Sequence, residues 1–147
     1  MEDEVIIIPN RLHWISSPQP PRNKPKSYFF TIDEDLVYEP FNKDFGPLNL
    51  GMTYKYCHEL DKLIKNVLYT NHIIYHYTSS EKAKRSNSAY LMGAYQVLVM
   101  KKSAKEAIRP FGDIGKIQPF RDASSGPSTH ECTIEDCLRA LQHAVEL

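Results

Sequence analysis

The sequence predicts an α/β domain built on a central sheet, and three observations predict it. Short runs rich in β-branched and aromatic residues (Val5–Ile8, Tyr28–Ile32 and His72–Tyr77) are bounded by turn-forming or polar residues, the pattern of strands. From about Leu48 to Val67 the apolar residues Leu50, Tyr54, Cys57, Leu60, Leu63, Ile64 and Val67 recur at helical spacing. Ser88 to Met100 is apolar almost all round. A helix of that kind is buried in a core or in a membrane, and this one is too short to span a bilayer of ~30 Å at ~1.5 Å per residue.

Taken in order, Val5–Ile8 and Arg11–Ile15 read as two strands joined by a turn at Pro9 and Asn10. Leu12 and Trp14 alternate with polar positions, as in a half-buried strand. Ser16 to Ser27 is rich in proline and basic residues, offers no side chain suited to a core, and reads as an exposed loop. The Tyr28–Ile32 strand ends at the acidic Asp33-Glu-Asp35, and Asp44-Phe-Gly-Pro47 is a turn ahead of the first helix. His72–Tyr77 is a buried strand, Thr78–Asn87 is polar and reads as a loop, and Ser88–Met100 is the core helix. Lys101 and Lys102 suit that helix's negative end. Ser103 and Glu106 form a capping box that opens a short helix, which Pro110 limits. Gly112–Thr129 is loop, and a last helix starts near Thr133 with Ile134, Cys137, Leu138, Leu141 and Val145 on one face.

Composition excludes several classes. The 147 residues fit one domain, 1–147, and 41% hydrophobic with 24% charged residues is the balance of a folded protein. Lysine plus arginine equals aspartate plus glutamate at 18 each, which argues against a general nucleic-acid binder. The basic residues Lys24, Lys26, Lys82, Lys84 and Arg85 read as solvated surface. The three cysteines are an odd number without a CxxC pair, so a secreted disulfide scaffold is not expected. The acidic start carries no signal-peptide pattern and no apolar run reaches ~18 residues, so neither secretion nor a membrane is expected. His72 and His76 lie four apart on a strand, ~13 Å at ~3.3 Å per residue, too far to share a metal. His130, Cys132, Cys137 and His143 are not spaced as a zinc set. No metal and no cofactor are expected.

The unit that bears on chemistry is strand, loop and helix from His72 to Met100. A helix N-terminus offers free N–H groups and partial positive charge, which suits phosphate. Cysteine-dependent phosphatases place there a strand ending in His-Cys, five loop residues and an Arg. The thiolate attacks phosphorus, and the Arg holds the transition-state charge. In this sequence His76 fits the His, Tyr77 stands at the nucleophile and Ala83 at the Arg. The intervening Thr78, Ser79, Ser80, Glu81 and Lys82 include no glycine to open the backbone round an anion. A phenol, with a pKa near ~10, does not replace a thiolate at neutral pH. Arg85 lies two positions beyond Ala83 and is the candidate to meet an anion.

Tyr28–Glu39, Asp44–Leu50, His76–Thr78, Lys84–Asn87, Gly93–Tyr95, Pro119–Ser124 and Thr133–Leu138 carry a resemblance to the N-terminal domain of the Cdc-fourteen type of dual-specificity protein phosphatases. It runs from about Arg11 to the end of the chain. The resemblance implies a dual-specificity-phosphatase-like fold, a central mixed sheet flanked by helices, with a degenerate phosphate loop at His76, Tyr77, Thr78, Ser79, Ser80, Ala83 and Arg85. It implies that this chain is the non-catalytic half, with the catalytic domain, which carries nucleophile, Arg and acid, outside it. The implied partners are that catalytic domain of the same polypeptide and phosphoproteins with Ser-Pro sites made by cyclin-dependent kinases. The implied address is intracellular, in nucleus or nucleolus or on the cytoskeleton. Lys105 stands where family members often carry an acid, and Ala83 where they often carry an extra Arg.

Two acidic residues are candidates for the substrate groove. Glu106 also completes the capping box, and Asp122 can pair with Arg121 or cap a turn; the structural role is favoured for both. Asp44 reads as part of a turn, because an acid without a nucleophile has no task. Cys57 sits within an amphipathic helix, away from any loop that would hold phosphate. The alternative to a scaffolding half is a phosphopeptide-binding pseudophosphatase module using Ser79, Ser80, Lys82, Lys84 and Arg85.

Overall fold

A computed structural model describes residues 3–22, 24–32, 50–112, 120–121, 131–132 and 134–146. Four strands form one sheet: β1 (Asp3–Ile8), β2 (Leu12–Ser16), β3 (Ser27–Phe30) and β4 (Ile73–Thr78), in the order β1-β2-β4-β3. β1 and β2 are antiparallel, and β2 and β3 both run parallel to β4. The sheet is therefore mixed, with β4 in its interior.

The β1–β2 turn is tight because Asn10 adopts a left-handed φ of 64°, a region that asparagine tolerates. Register then sorts the side chains. Val5, Trp14, His76 and Phe30 are cross-strand neighbours in one row. This row carries the core: Trp14 and His76 are wholly buried. Trp14 meets Phe111 edge to face at 5.2 Å, and His76 lies 4.8 Å from Phe30 and 5.4 Å from Tyr56, centroid to centroid.

Helices cover that row. α1 (Leu50–Lys65) turns its buried residues Thr53, Tyr56, Cys57 and Leu60 inward, then passes through a 3₁₀ turn, Val67–Tyr69, into β4. α2 (Lys82–Leu98) is the central helix, with Ala89, Leu91, Met92 and Ala94 fully buried. α3 (Ala104–Ile108) opens with the expected capping box: the Ser103 side chain accepts from the Glu106 amide, and the Glu106 side chain accepts from the Ser103 amide. A 3₁₀ turn, Arg109–Phe111, follows, with Pro110 near its start. The two-residue strands β5 (Phe120–Arg121) and β6 (Glu131–Cys132) pair antiparallel, and α4 (Ile134–Glu146) packs Ile134, Leu138 and Leu141 inward. Gly93 lets α2 and α4 approach closely: a Cβ there would lie 2.6 Å from Leu138 Cδ1.

Three readings change. The exposed loop does not begin at Ser16: Ser16 is the last residue of β2 and fully buried, Ser17 is buried too, and Ser27 already belongs to β3. The loop read over Thr78–Asn87 shrinks to 79–81, since Thr78 closes β4 and the helix starts at Lys82 rather than Ser88. Its polarity came from a first helical turn of good helix formers, Lys82, Ala83, Lys84 and Arg85. β5 lies inside the stretch Gly112–Thr129 that reads as loop, and β6 lies just beyond it. Asp44-Phe-Gly-Pro47 and Asp122 fall outside the described residues.

Candidate functional site

The β4–α2 junction, the position that the sequence reads as the phosphate loop, is bridged by its own side chains. The Tyr77 hydroxyl donates to the Ser17 carbonyl at 3.2 Å. The Ser17 amide in turn donates to the Thr78 carbonyl at 3.1 Å. Ser16 Oγ donates to the Ser79 carbonyl at 3.1 Å, tying the end of β2 to the short connection. Glu81 occupies the N-cap of α2 in extended geometry without a side-chain cap bond, and its carboxylate lies 3.7 Å from Lys84 Nζ. Ser79 Oγ accepts from the Glu81 amide at 3.4 Å, and Ser80 is exposed.

Arg85 is part of this closure. Its Nη1 donates to Asp3 Oδ2 and to Ser16 Oγ, both at 2.9 Å. The guanidinium stands over the Trp14 ring at 5.7 Å, and its side chain is only 14% exposed. Trp14 Nε1 donates to Ser88 Oγ at 2.9 Å, and Ser88 Oγ donates to the Arg85 carbonyl at 3.0 Å, so stack and helix are linked. Ala83 is on the helix and half-buried.

His76 lies beneath the junction in the core. Its Nδ1 is 2.7 Å from the Tyr56 hydroxyl, while Nε2 has no hydrogen-bond partner among the described residues. Burial lowers its pKa to about 3, so the ring is neutral. Burial also raises Tyr56 well above the ordinary phenol value, with Cys57 adding to the effect, so its hydroxyl keeps its proton. The Cys57 thiol is pushed up to about 12, first by burial and then by the Asp61 carboxylate. A thiol so held supplies almost no thiolate at neutral pH and is a poor nucleophile. Among the described residues no group of three His, Cys, Asp or Glu side chains is placed to hold a metal ion, and no helix is long and apolar enough to cross a membrane.

Residues 6–144 match the family described as dual specificity protein phosphatase, N-terminal half. The chain belongs to this family. It is 46% identical over 131 residues to the dual specificity protein phosphatase CDC14A of Mus musculus, covering 85% of this chain and 22% of that protein. It is 42% identical to the CDC14AB phosphatase of Danio rerio, covering 95% and 23%, and 33% identical to the tyrosine-protein phosphatase CDC14 homolog of Schizosaccharomyces pombe, covering 93% and 26%. The chain thus spans about a quarter of the length of these relatives.

In this N-terminal phosphatase-family domain the junction gathers His76, Tyr77, Thr78, Ser79 and Arg85 into one region, with His76 below in the core and Arg85 turned toward β1 and β2. Glu106 lies elsewhere, at the start of α3. There, hydrogen bonds with the Ser103 backbone and then its side chain lower its pKa. Sequence reasoning did not single out Asp3 and Ser16, the two partners that hold Arg85. The only signals were an acidic N-terminus and a small hydroxyl residue at a strand end, and neither is distinctive.

Proposed function

We propose that this domain is the non-catalytic N-terminal half of a tandem dual-specificity protein phosphatase. It scaffolds the catalytic domain and forms one wall of the groove that receives phosphorylated Ser-Pro sites left by cyclin-dependent kinases. Membership of the N-terminal-half family supports the placement. One local observation carries the non-catalytic reading: Tyr77 stands at the nucleophile's place with its hydroxyl donated to the Ser17 carbonyl, and no guanidinium follows six places on, where Ala83 sits. Cys57, an alternative nucleophile, is buried and held protonated. Exposed Glu106 remains the groove candidate, with its carboxylate already used by the Ser103 cap.

The test is complementation in trans. The chain is added to the catalytic half of the mouse relative, and kcat/KM is measured on a phosphoserine-proline peptide. A saturable rise in kcat/KM, with no change on p-nitrophenyl phosphate, is expected of a groove wall. An unchanged kcat/KM on the peptide at saturating chain overturns the scaffold reading.

A further inference from the structure

The β4–α2 junction holds its one described arginine against an anion that the chain itself supplies. Asp3 is the first residue of β1, an edge strand, and it pairs in register with Ser16 at the open end of the β1–β2 ladder. Its carboxylate and the Ser16 hydroxyl both contact Arg85 Nη1, and Ser16 also binds the connection through the Ser79 carbonyl. The Asp3 side chain is 34% exposed, so water reaches it, whereas Arg85 is largely enclosed over Trp14. Four further registered pairs, Glu4 to Ile8 against Ile15 to Leu12, keep β1 in the sheet without Asp3.

We propose that Asp3 is a self-ligand: its carboxylate occupies the place at Arg85 that a phosphate monoester would take, and so latches the junction shut. Release of this one residue would leave the Arg85 guanidinium, in the first turn of α2, without its anion. A guanidinium is a donor that phosphate oxygens use, and a helix start favours the same negative charge. The latch competes intramolecularly. An attached carboxylate acts at a high effective concentration, so a free anion must outcompete a partner that never diffuses away. The contact is partly exposed, and an exposed ion pair holds only weakly. The latch is therefore reversible, and the peripheral seat of Asp3 allows it to open without unfolding the sheet. This inference stands apart from the scaffold reading: it concerns what the junction binds, not whether the domain assists a catalytic partner.

The test is an NMR titration of the whole chain with inorganic phosphate, and separately with O-phosphoserine, at constant ionic strength set with chloride. The Arg85 side-chain Nε–H and the amides of 79–85 are followed in wild type and in Asp3→Asn. The asparagine is isosteric, and a thermal melt of each variant confirms the fold. The expected result is at least a threefold tighter saturable phosphate response in Asp3→Asn than in wild type, abolished in Asp3→Asn/Arg85→Gln. Equal responses in wild type and Asp3→Asn overturn the latch. So does a gain that survives Arg85→Gln, since the anion is then bound elsewhere. Should Asp3→Asn melt early, Asp3→Glu serves instead. Its longer arm keeps the charge, and a phosphate response as weak as wild type is expected. A strong response there contradicts the proposal.

Discussion

Two arginines sit at opposite ends of β4, and their partners differ in kind. Arg11, at the start of β2, donates to three backbone carbonyls: Tyr69 at 2.5 Å, His72 at 2.6 Å, and Ile64. It ties the end of α1, the 3₁₀ turn and the entry to β4 into one corner; the Ile64 carbonyl is one that the end of α1 leaves without a helix partner, while the Tyr69 carbonyl also accepts from the His72 amide. Arg85, past the other end of the strand, is held by side chains: a carboxylate on an edge strand, a hydroxyl and an indole face. Backbone carbonyls cannot be replaced by a single substitution, whereas a carboxylate can. The Arg11 corner is thus held by the backbone, and the Arg85 junction by side chains that a substitution can remove. The same residue type serves both because a guanidinium presents several donors in a fixed fork.

The difference can be pushed hardest at Arg11. Arg11→Met leaves three partly buried carbonyls short of a charged donor, and a loss of about 3 kcal/mol is expected. Urea denaturation reads it as a lower midpoint at unchanged slope. A loss under about 1 kcal/mol would mean that water replaces the guanidinium, and that the two corners are alike.

Next in size is the acid response of the core between them. His76 has a folded pKa of about 3, below its unfolded value near 6.5, so the unfolded chain binds the extra proton first. Its contribution to stability is complete above about pH 6.5 and declines as pH falls toward about 3. At pH 4.5 the loss is about 2–3 kcal/mol. His76→Gln is expected to flatten this part of the stability–pH curve, whatever its stability at neutral pH. A curve whose slope between pH 6.5 and 4.5 is the same in both proteins contradicts the burial of a neutral ring.

Arg85→Gln is expected to cost less than Arg11→Met, about 1–2 kcal/mol, because Asp3 can turn to water once its partner is gone. The same denaturation series ranks them. A larger loss at Arg85 reverses the comparison. Smallest is the α3 cap. Ser103→Ala removes the acceptor for the Glu106 amide and should cost about 1 kcal/mol. It should also return the Glu106 carboxyl toward its ordinary value in a side-chain NMR titration. The lowered pKa means that the cap's charge-dependent part is present above the unfolded value and is lost as pH falls through the folded one.

Much of the architecture was legible because apolar period and burial agree. The run from Ala89 to Val97 is buried as its composition requires, whereas β2, read as half-buried, is buried at all five positions because β1 and β4 flank it and α2 packs against it. The Ser103–Glu106 box appears as read. The junction was less legible. Lys82–Asn87 is polar and so reads as loop, yet Lys82, Ala83, Lys84 and Arg85 favour a helix and open α2. Ser16 looked like loop because a proline-rich stretch follows it, yet its hydroxyl is wanted inside by Arg85 and by the Ser79 carbonyl. The Asp3–Arg85 contact joins residues 82 positions apart. No local pattern encodes such a pair; it exists only once β1 has been added to the sheet.

The measurement closest to the central claim is phosphate release by the purified chain alone. p-Nitrophenyl phosphate and a phosphoserine-proline peptide serve as substrates, with Tyr77→Phe and Cys57→Ser variants alongside. The account predicts release at the buffer rate for all three proteins. Turnover above buffer that disappears with Tyr77→Phe or Cys57→Ser would show a working nucleophile in this domain and contradict it.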